Sequence, residues 1–109
     1  MKKIEAIIRP ERLSATKHAL EAIGIHGMTV IEVKGRGEQK GLEFTHRAGK
    51  FRVDMLPKVK LEIVVKEDRL EDAVGAICAS AKTGEVGDGK IFIIPVERVI
   101  KVRTGETDA

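Results

Sequence analysis

"KVKLEIVVK", Lys58 to Lys66, is the most regular alternation in a chain of 109 residues, and the fold turns on it. Val59, Leu61, Ile63 and Val65 fall on one side; Lys58, Lys60, Glu62 and Val64 fall on the other. A period of two with one apolar side predicts a strand that lays one face on a core. Toward the N-terminus, "KIEAIIR" (Lys3–Arg9) repeats the pattern, with Ile4, Ala6 and Ile8 opposite Lys3, Glu5, Ile7 and Arg9. Pro10 follows, a residue favoured where a helix begins. Leu13, Ala19, Leu20 and Ile23 then recur at helical spacing until Gly24 stops the run. The β-branched "MTVIEVK", Met28 to Lys34, predicts another strand.

On the C-terminal side of the opening stretch, Asp68 and Glu71 form an Asp-x-x-Glu pattern suited to a helix N-cap and first turn. Leu70, Ala73, Val74, Ile77 and Ala81 supply the apolar stripe of that helix. "KIFIIPV" and "RVIKVR" read as two short strands, with Pro95 marking an edge or a turn between them. The tail "TGETDA" is polar. From Gly35 to Leu56 neither period is sustained, which predicts an irregular excursion of about twenty residues, a length usually kept for function. The order is β-α-β, long loop, β-α-β, then one short extra C-terminal strand. This is the split βαβ pattern of a ferredoxin-like α+β sandwich, one domain over residues 1–109. Two helices would cover one face of an antiparallel sheet. Ile7, Ile31 and Val64 lie on the other face, which predicts burial against further copies of the chain.

Composition narrows the function classes. One cysteine, Cys78, allows no intrachain disulfide, and its helical context predicts a buried thiol in a reducing compartment. His18, His26 and His46 show no metal-ligand spacing. No apolar run reaches membrane-spanning length and the N-terminus lacks signal-peptide architecture, so a cytoplasmic protein is expected. With no tryptophan or tyrosine and three phenylalanines, the chain lacks stacking platforms for nucleic acid. No nucleophile–base pair appears, so a dedicated enzyme is not expected.

The stretch "TGEVGDGKIF", Thr83 to Phe92, concentrates the chemistry. Gly84, Gly87 and Gly89 allow positive φ, so successive backbone N–H groups can converge on an anion. Lys90 adds a point charge beside them. The spacing is not that of a Walker A loop, and a strand follows instead of a helix. Composition leaves two readings open, an ordinary helix-to-strand turn and a phosphate cradle. Lys101 and Arg103, two apart near the C-terminus, offer two more cations with no obvious acid beside them.

The motifs "KIEAIIRPERL", "GMTVIEVKGRG", "VDMLPKVKLEIVV", "TGEVGDGKIF" and "RVIKVRTGE" together resemble the PII signal-transduction family across essentially the whole chain. The resemblance implies a cytoplasmic homotrimer that binds adenine nucleotide, ATP or ADP with AMP left open, in clefts between neighbouring subunits. It implies a regulator of nitrogen-metabolism enzymes or transporters, a membrane transporter among the eligible targets, not an enzyme. Residues 82–90 resemble the family's B-loop, which would hold phosphates through Gly87, Asp88, Gly89 and Lys90. Lys101 and Arg103, in the C-terminal strand and tail of about 97–109, would reach them from the adjoining subunit. Thr29 and Val64 match adenosine-side positions, and Gly37 and Glu38 flank the phosphates. Residues 37–55 resemble the T-loop, which contacts target proteins. Gln39 matches the residue that helps hold magnesium and 2-oxoglutarate beside ATP; Gly41 and Lys58 match further 2-oxoglutarate positions.

The chain departs from the family pattern in several places. Phe51 stands where a uridylylated tyrosine is common and has no hydroxyl to modify, and Gly49 replaces a serine phosphorylated in some members. Regulation by ligands alone is therefore expected. Glu38 stands where an arginine near the terminal phosphate is common, Arg36 where a bulky apolar residue is, and Lys101 where an arginine is. These changes keep a second expectation alive: a divergent sensor of carbon or adenylate status that answers to ADP, AMP and bicarbonate, not 2-oxoglutarate.

Overall fold

The computed structural model describes residues 1–37, 42–46, 49–53 and 55–107. Strands β1 (Lys2–Ile8), β2 (Thr29–Gly35), β5 (Leu56–Val65) and β6 (Gly89–Pro95) form one antiparallel sheet in the order β2-β5-β1-β6. Helices α1 (Leu13–Ala22) and α2 (Leu70–Ala81) are each introduced by a 3₁₀ turn, Pro10–Arg12 and Glu67–Arg69. This is the ferredoxin-like α+β arrangement the alternations predict. The register sets Ile4 opposite Ile63 and Ala6 opposite Leu61, so the apolar sides of the two central strands share a face. Ile4, Ala6, Leu20, Leu61, Ala73 and Ile77 are all but fully enclosed between that face and the helices. Burial at this depth stabilises by about 1.5–3 kcal/mol for each large aliphatic side chain.

Several expectations change in detail. The excursion between β2 and β5 contains two strands, β3 (Leu42–His46) and β4 (Gly49–Val53), paired as a separate two-stranded sheet. Five-residue strands are too short to register as a sustained period. The segment "RVIKVR", expected as a closing strand, contributes a single bridge, Ile100 to Thr107. It instead folds back on itself, with the Gly105 N–H donating to Lys101 O (2.8 Å) and the Lys101 N–H to Glu106 O (2.9 Å). Asp68 does not cap α2 through its side chain. It lies inside the 3₁₀ turn, whose own backbone bonds, such as Arg69 N–H to Lys66 O (3.0 Å), satisfy the helix entrance.

Cys78 is exposed, not buried. The buried line of α2 runs Ala73, Ile77, Ala81 at every fourth residue, and Cys78 sits about 100° around the helix from Ile77. In α1 the enclosed position four residues before Leu20 belongs to Thr16, while Ala19 is only half-buried. The Thr16 hydroxyl meets the Ser80 hydroxyl at 3.0 Å across the helix pair, which satisfies a polar group with no access to water.

Among the described residues no helix covers the opposite face of the sheet. Ile31 is 38% exposed, Val64 44% and Phe92 46%, around a charge network in which Lys3 Nζ lies 2.8 Å from Glu62 Oε2 and 3.0 Å from Glu5 Oε1. Bonding to Glu62 and Glu5 raises the Lys3 pKa, and the bond from Lys3 lowers that of Glu62. Among the described residues no helix is long and apolar enough to cross a membrane.

Candidate functional site

The glycine stretch leaves α2 at Lys82 and enters β6 at Gly89. Gly84, Gly87 and Gly89 all hold positive φ, +91°, +100° and +111°. Gly89 is the strictest of the three. A Cβ built there would stand 1.7 Å from the carbonyl oxygen of Ile7, because β6 begins by pairing closely with the end of β1. The need for glycine at this point is therefore steric as well as conformational.

Asp88 holds the loop closed. Its Oδ2 accepts the N–H groups of Thr83 (2.8 Å) and Gly84 (2.9 Å), and its Oδ1 accepts the Thr83 hydroxyl and Arg9 Nε (3.1 Å). The Thr83 hydroxyl, then the Thr83 amide, hold this carboxyl far below the usual carboxylate range. Two cations grip the loop from the sheet side. Arg9 Nη2 donates to Val86 O (2.8 Å) and Lys58 Nζ donates to Gly87 O (2.7 Å). Desolvation, and then the neighbouring Arg9 charge, push the Lys58 ammonium down from its ordinary value.

Between this loop, the bare sheet face and the start of the long excursion lies a cleft of about 340 Å³. Arg36 and Gly37 line one side, Val86, Gly87, Asp88 and Gly89 the other, and Ile7, Lys58, Lys90 and Phe92 the floor. The cleft therefore combines apolar surface with a glycine loop and three cations, a lining that suits an anion. Gly37, Lys58, Gly87, Asp88, Gly89 and Lys90 are brought together here. Thr29 and Val64 share the bare face, opposite Glu62 and Lys3, but do not line the cleft. Lys101 and Arg103 stand outside its lining in the C-terminal turn, and Lys101 Nζ does have an acid nearby, Glu106 Oε2 at 4.0 Å. Glu38, Gln39 and Gly41 lie outside the described residues. No cluster of His, Cys, Asp or Glu that could hold a metal occurs among the described residues.

Sequence reasoning missed Arg9. It sits 79 residues from Asp88, and only its strand parity with Ile7 hinted that it faces the cleft side of the sheet.

The sequence that folds into this cleft and its Gly-Asp-Gly-Lys loop is matched along nearly its whole length by known sequences. The family model for nitrogen regulatory protein P-II matches residues 1–106. The chain belongs to the P-II family. It is 54% identical over 107 residues to nitrogen regulatory protein P-II 2 of Methanothermobacter thermautotrophicus, covering 98% of this chain and 93% of that one. It is 57% identical over 106 residues to P-II 1 of the same organism, with 97% and 92% covered. Against P-II 1 of Escherichia coli (strain K12) the identity is 54% over 108 residues, with 99% and 96% covered. P-II proteins are signal-transduction regulators, and this P-II chain carries its glycine loop and three cations around one cleft.

Proposed function

We propose that this P-II chain is a nitrogen-status regulator that binds adenine nucleotide in the cleft beside the Thr83–Lys90 loop and passes the signal to a target protein through residues 37–55. The observation that carries the reading is the loop itself: three positive-φ glycines, one sterically obligatory, held by Asp88, with Lys90 and Lys58 on the cleft floor. Those residues fit a polyphosphate, since backbone N–H groups and point cations are what such an anion needs. The bound nucleotide would supply the charge that the loop reads. Lys90 would neutralise phosphate, the glycines would let the backbone approach, and Lys101 and Arg103 would arrive from a neighbouring copy.

A homotrimer follows from the same reading. The apolar patch of Ile31, Val64, Phe92 and Ile94 is otherwise left in water, and pairing copies through it buries that surface. Magnesium and 2-oxoglutarate join the nucleotide through Gln39, with Lys58 beside them. The ligand-bound state then engages a target enzyme or transporter differently from the ligand-free state, and a bias of a few kcal/mol is enough.

Isothermal calorimetry tests this with ATP, ADP and AMP, each with and without magnesium plus 2-oxoglutarate or bicarbonate. Tight ATP binding that 2-oxoglutarate strengthens is the expected result. Binding of ADP or AMP that answers to bicarbonate and never to 2-oxoglutarate would instead assign the divergent carbon or adenylate sensor. Lys90→Ala should lose most nucleotide affinity, and retained affinity removes the phosphate role given to Lys90.

A further inference from the structure

We infer that Arg9 is a positioning residue of the nucleotide loop, acting through Asp88 and the Val86 carbonyl. The inference rests on the nucleotide reading of the cleft and concerns a residue outside the cleft's lining. Arg9 directly follows β1 and precedes Pro10, and its backbone is extended (φ −65°, ψ 138°). Its side chain thus leaves a rigid strand end, with the φ of the next residue fixed by a ring. From there one guanidinium makes two contacts with the loop: Nε to Asp88 Oδ1 at 3.1 Å and Nη2 to Val86 O at 2.8 Å. The side chain is only 15% exposed, so the fork is held in place by its surroundings.

The two contacts do different things. Through Asp88, Arg9 anchors the carboxylate that closes the loop neck onto Thr83 and Gly84. Through Val86 O, it sets the orientation of a peptide plane. No peptide among the described residues is cis, so the N–H of Gly87 points opposite the Val86 carbonyl and away from Arg9. Gly87 lines the cleft and Arg9 does not. Glycine at φ +100° restricts the peptide plane before it less than any other residue would, so an outside contact is what pins that plane. Arg9 supplies that pin, and Lys58 pins the next carbonyl, that of Gly87. The loop's donors are thereby oriented before an anion arrives, which lowers the ordering cost of binding.

Calorimetry with ATP on the whole protein, for Arg9→Gln, Asp88→Asn and the double variant, tests this together with ¹H–¹⁵N spectra of the nucleotide-free protein. Arg9→Gln should weaken ATP about tenfold, the scale of one lost charge-assisted hydrogen bond, and shift the Gly87 amide resonance. The double variant should lose less than the sum of the two single losses, because Asp88→Asn already removes the share of Arg9 that runs through Asp88 while the Val86 contact is still there to lose. Arg9→Lys, which keeps one contact, should fall between wild type and Arg9→Gln, and it carries the test should Arg9→Gln not fold. Wild-type affinity in Arg9→Gln with an unmoved Gly87 amide overturns the inference while leaving the nucleotide reading intact. Fully additive losses in the double variant also overturn it, since Arg9 would then not be acting through Asp88. A wild-type protein that binds no ATP removes both.

Discussion

The β1–α1–β2 half and the β5–α2–β6 half of this P-II chain are built alike and end differently. Each begins with a central strand, continues through a 3₁₀ turn whose third residue is arginine, and enters a helix at leucine: Pro10–Arg12 then Leu13, Glu67–Arg69 then Leu70. Arg12 N–H to Arg9 O and Arg69 N–H to Lys66 O are both 3.0 Å. Each arginine then crosses to the far end of the other helix. Arg12 Nε and Nη2 donate to Ser80 O near the end of α2, and Arg69 Nη2 donates to Ile23 O past the end of α1. Carbonyls at helix C-termini lack intrahelical partners, and a cation there also suits the helix dipole. The halves thus cap one another. They part only in the return to the outer strand. Residues 23–28 go back with Ile25 buried and Ile23 and Met28 packed on the core; residues 82–88 go back glycine-rich and clasped by Asp88, exposed from Lys82 to Val86 and half-buried at Gly87 and Asp88. The difference teaches that the frame is duplicated while only one of the two returns is built as a glycine-rich loop held by a carboxylate clasp.

The largest expected contrast lies between Gly89 and Gly24. Gly89→Ala drives a methyl into the Ile7 carbonyl at 1.7 Å, and neither backbone can yield without breaking the β1–β6 pairing. It should cost more than about 4 kcal/mol, or abolish folding. Gly24 is also left-handed, at φ +83°, but nothing lies within 4 Å of its missing Cβ. Gly24→Ala should cost only the conformational strain of about 1–2 kcal/mol. Urea titration at fixed protein concentration measures both, and equal losses would erase the distinction between the returns.

Core truncation should come next and should not distinguish the halves. Leu20 in α1 and Ile77 in α2 are both enclosed. Leu20→Ala and Ile77→Ala should each cost about 2–5 kcal/mol. The crossed arginines should follow at about 1 kcal/mol apiece for Arg12→Ala and Arg69→Ala, reduced from the full charge-assisted value by partial exposure. Because the two contacts lie at opposite ends of the helix pair, the double variant should lose their sum; strong non-additivity would mean the halves are coupled through more than these caps.

The frame was largely legible in the sequence. Alternation in Lys3–Arg9 and Lys58–Lys66 has one physical cause, a face that must be dry, and it fixes which residues meet. The glycine loop was legible for a similar reason: three glycines in six residues have few uses besides positive φ. What stayed hidden were partners far apart in sequence. Arg12 and Ser80 are separated by 68 residues, Arg69 and Ile23 by 46, Arg9 and Asp88 by 79. No local period encodes such pairs, because they exist only once the halves dock. Thr16 was missed because a hydroxyl at a core position looks like an error until Ser80 appears beside it. The side-chain role of Asp88 stayed hidden too: the resemblance places Asp88 among phosphate-holding residues, and nothing local announces that its carboxylate gathers four donors from Thr83, Gly84 and Arg9.

The smallest predicted effect is the most local, and it separates the two returns without a mutation. Bonds from Thr83, Gly84 and Arg9 hold the Asp88 carboxyl well below its ordinary value of 3.8. A carboxylate whose pKa falls on folding stabilises the folded state fully above its unfolded value, and that contribution is lost as pH falls toward the folded one. The clasp should therefore be intact at neutral pH and weaken progressively as pH drops through and below about 3.8. Its loss frees the Thr83 and Gly84 amides, whose acceptor is the ionised carboxylate. The Ile25 amide in the other return donates to Leu20 O at 2.9 Å, a peptide carbonyl with no proton to gain in this range. Amide-exchange protection factors, corrected for intrinsic rates, should fall for Thr83 and Gly84 between pH 4 and pH 2.5 while Ile25 stays protected. Parallel loss at all three would report global acid unfolding, and the clasp would then have no separate titration to its name.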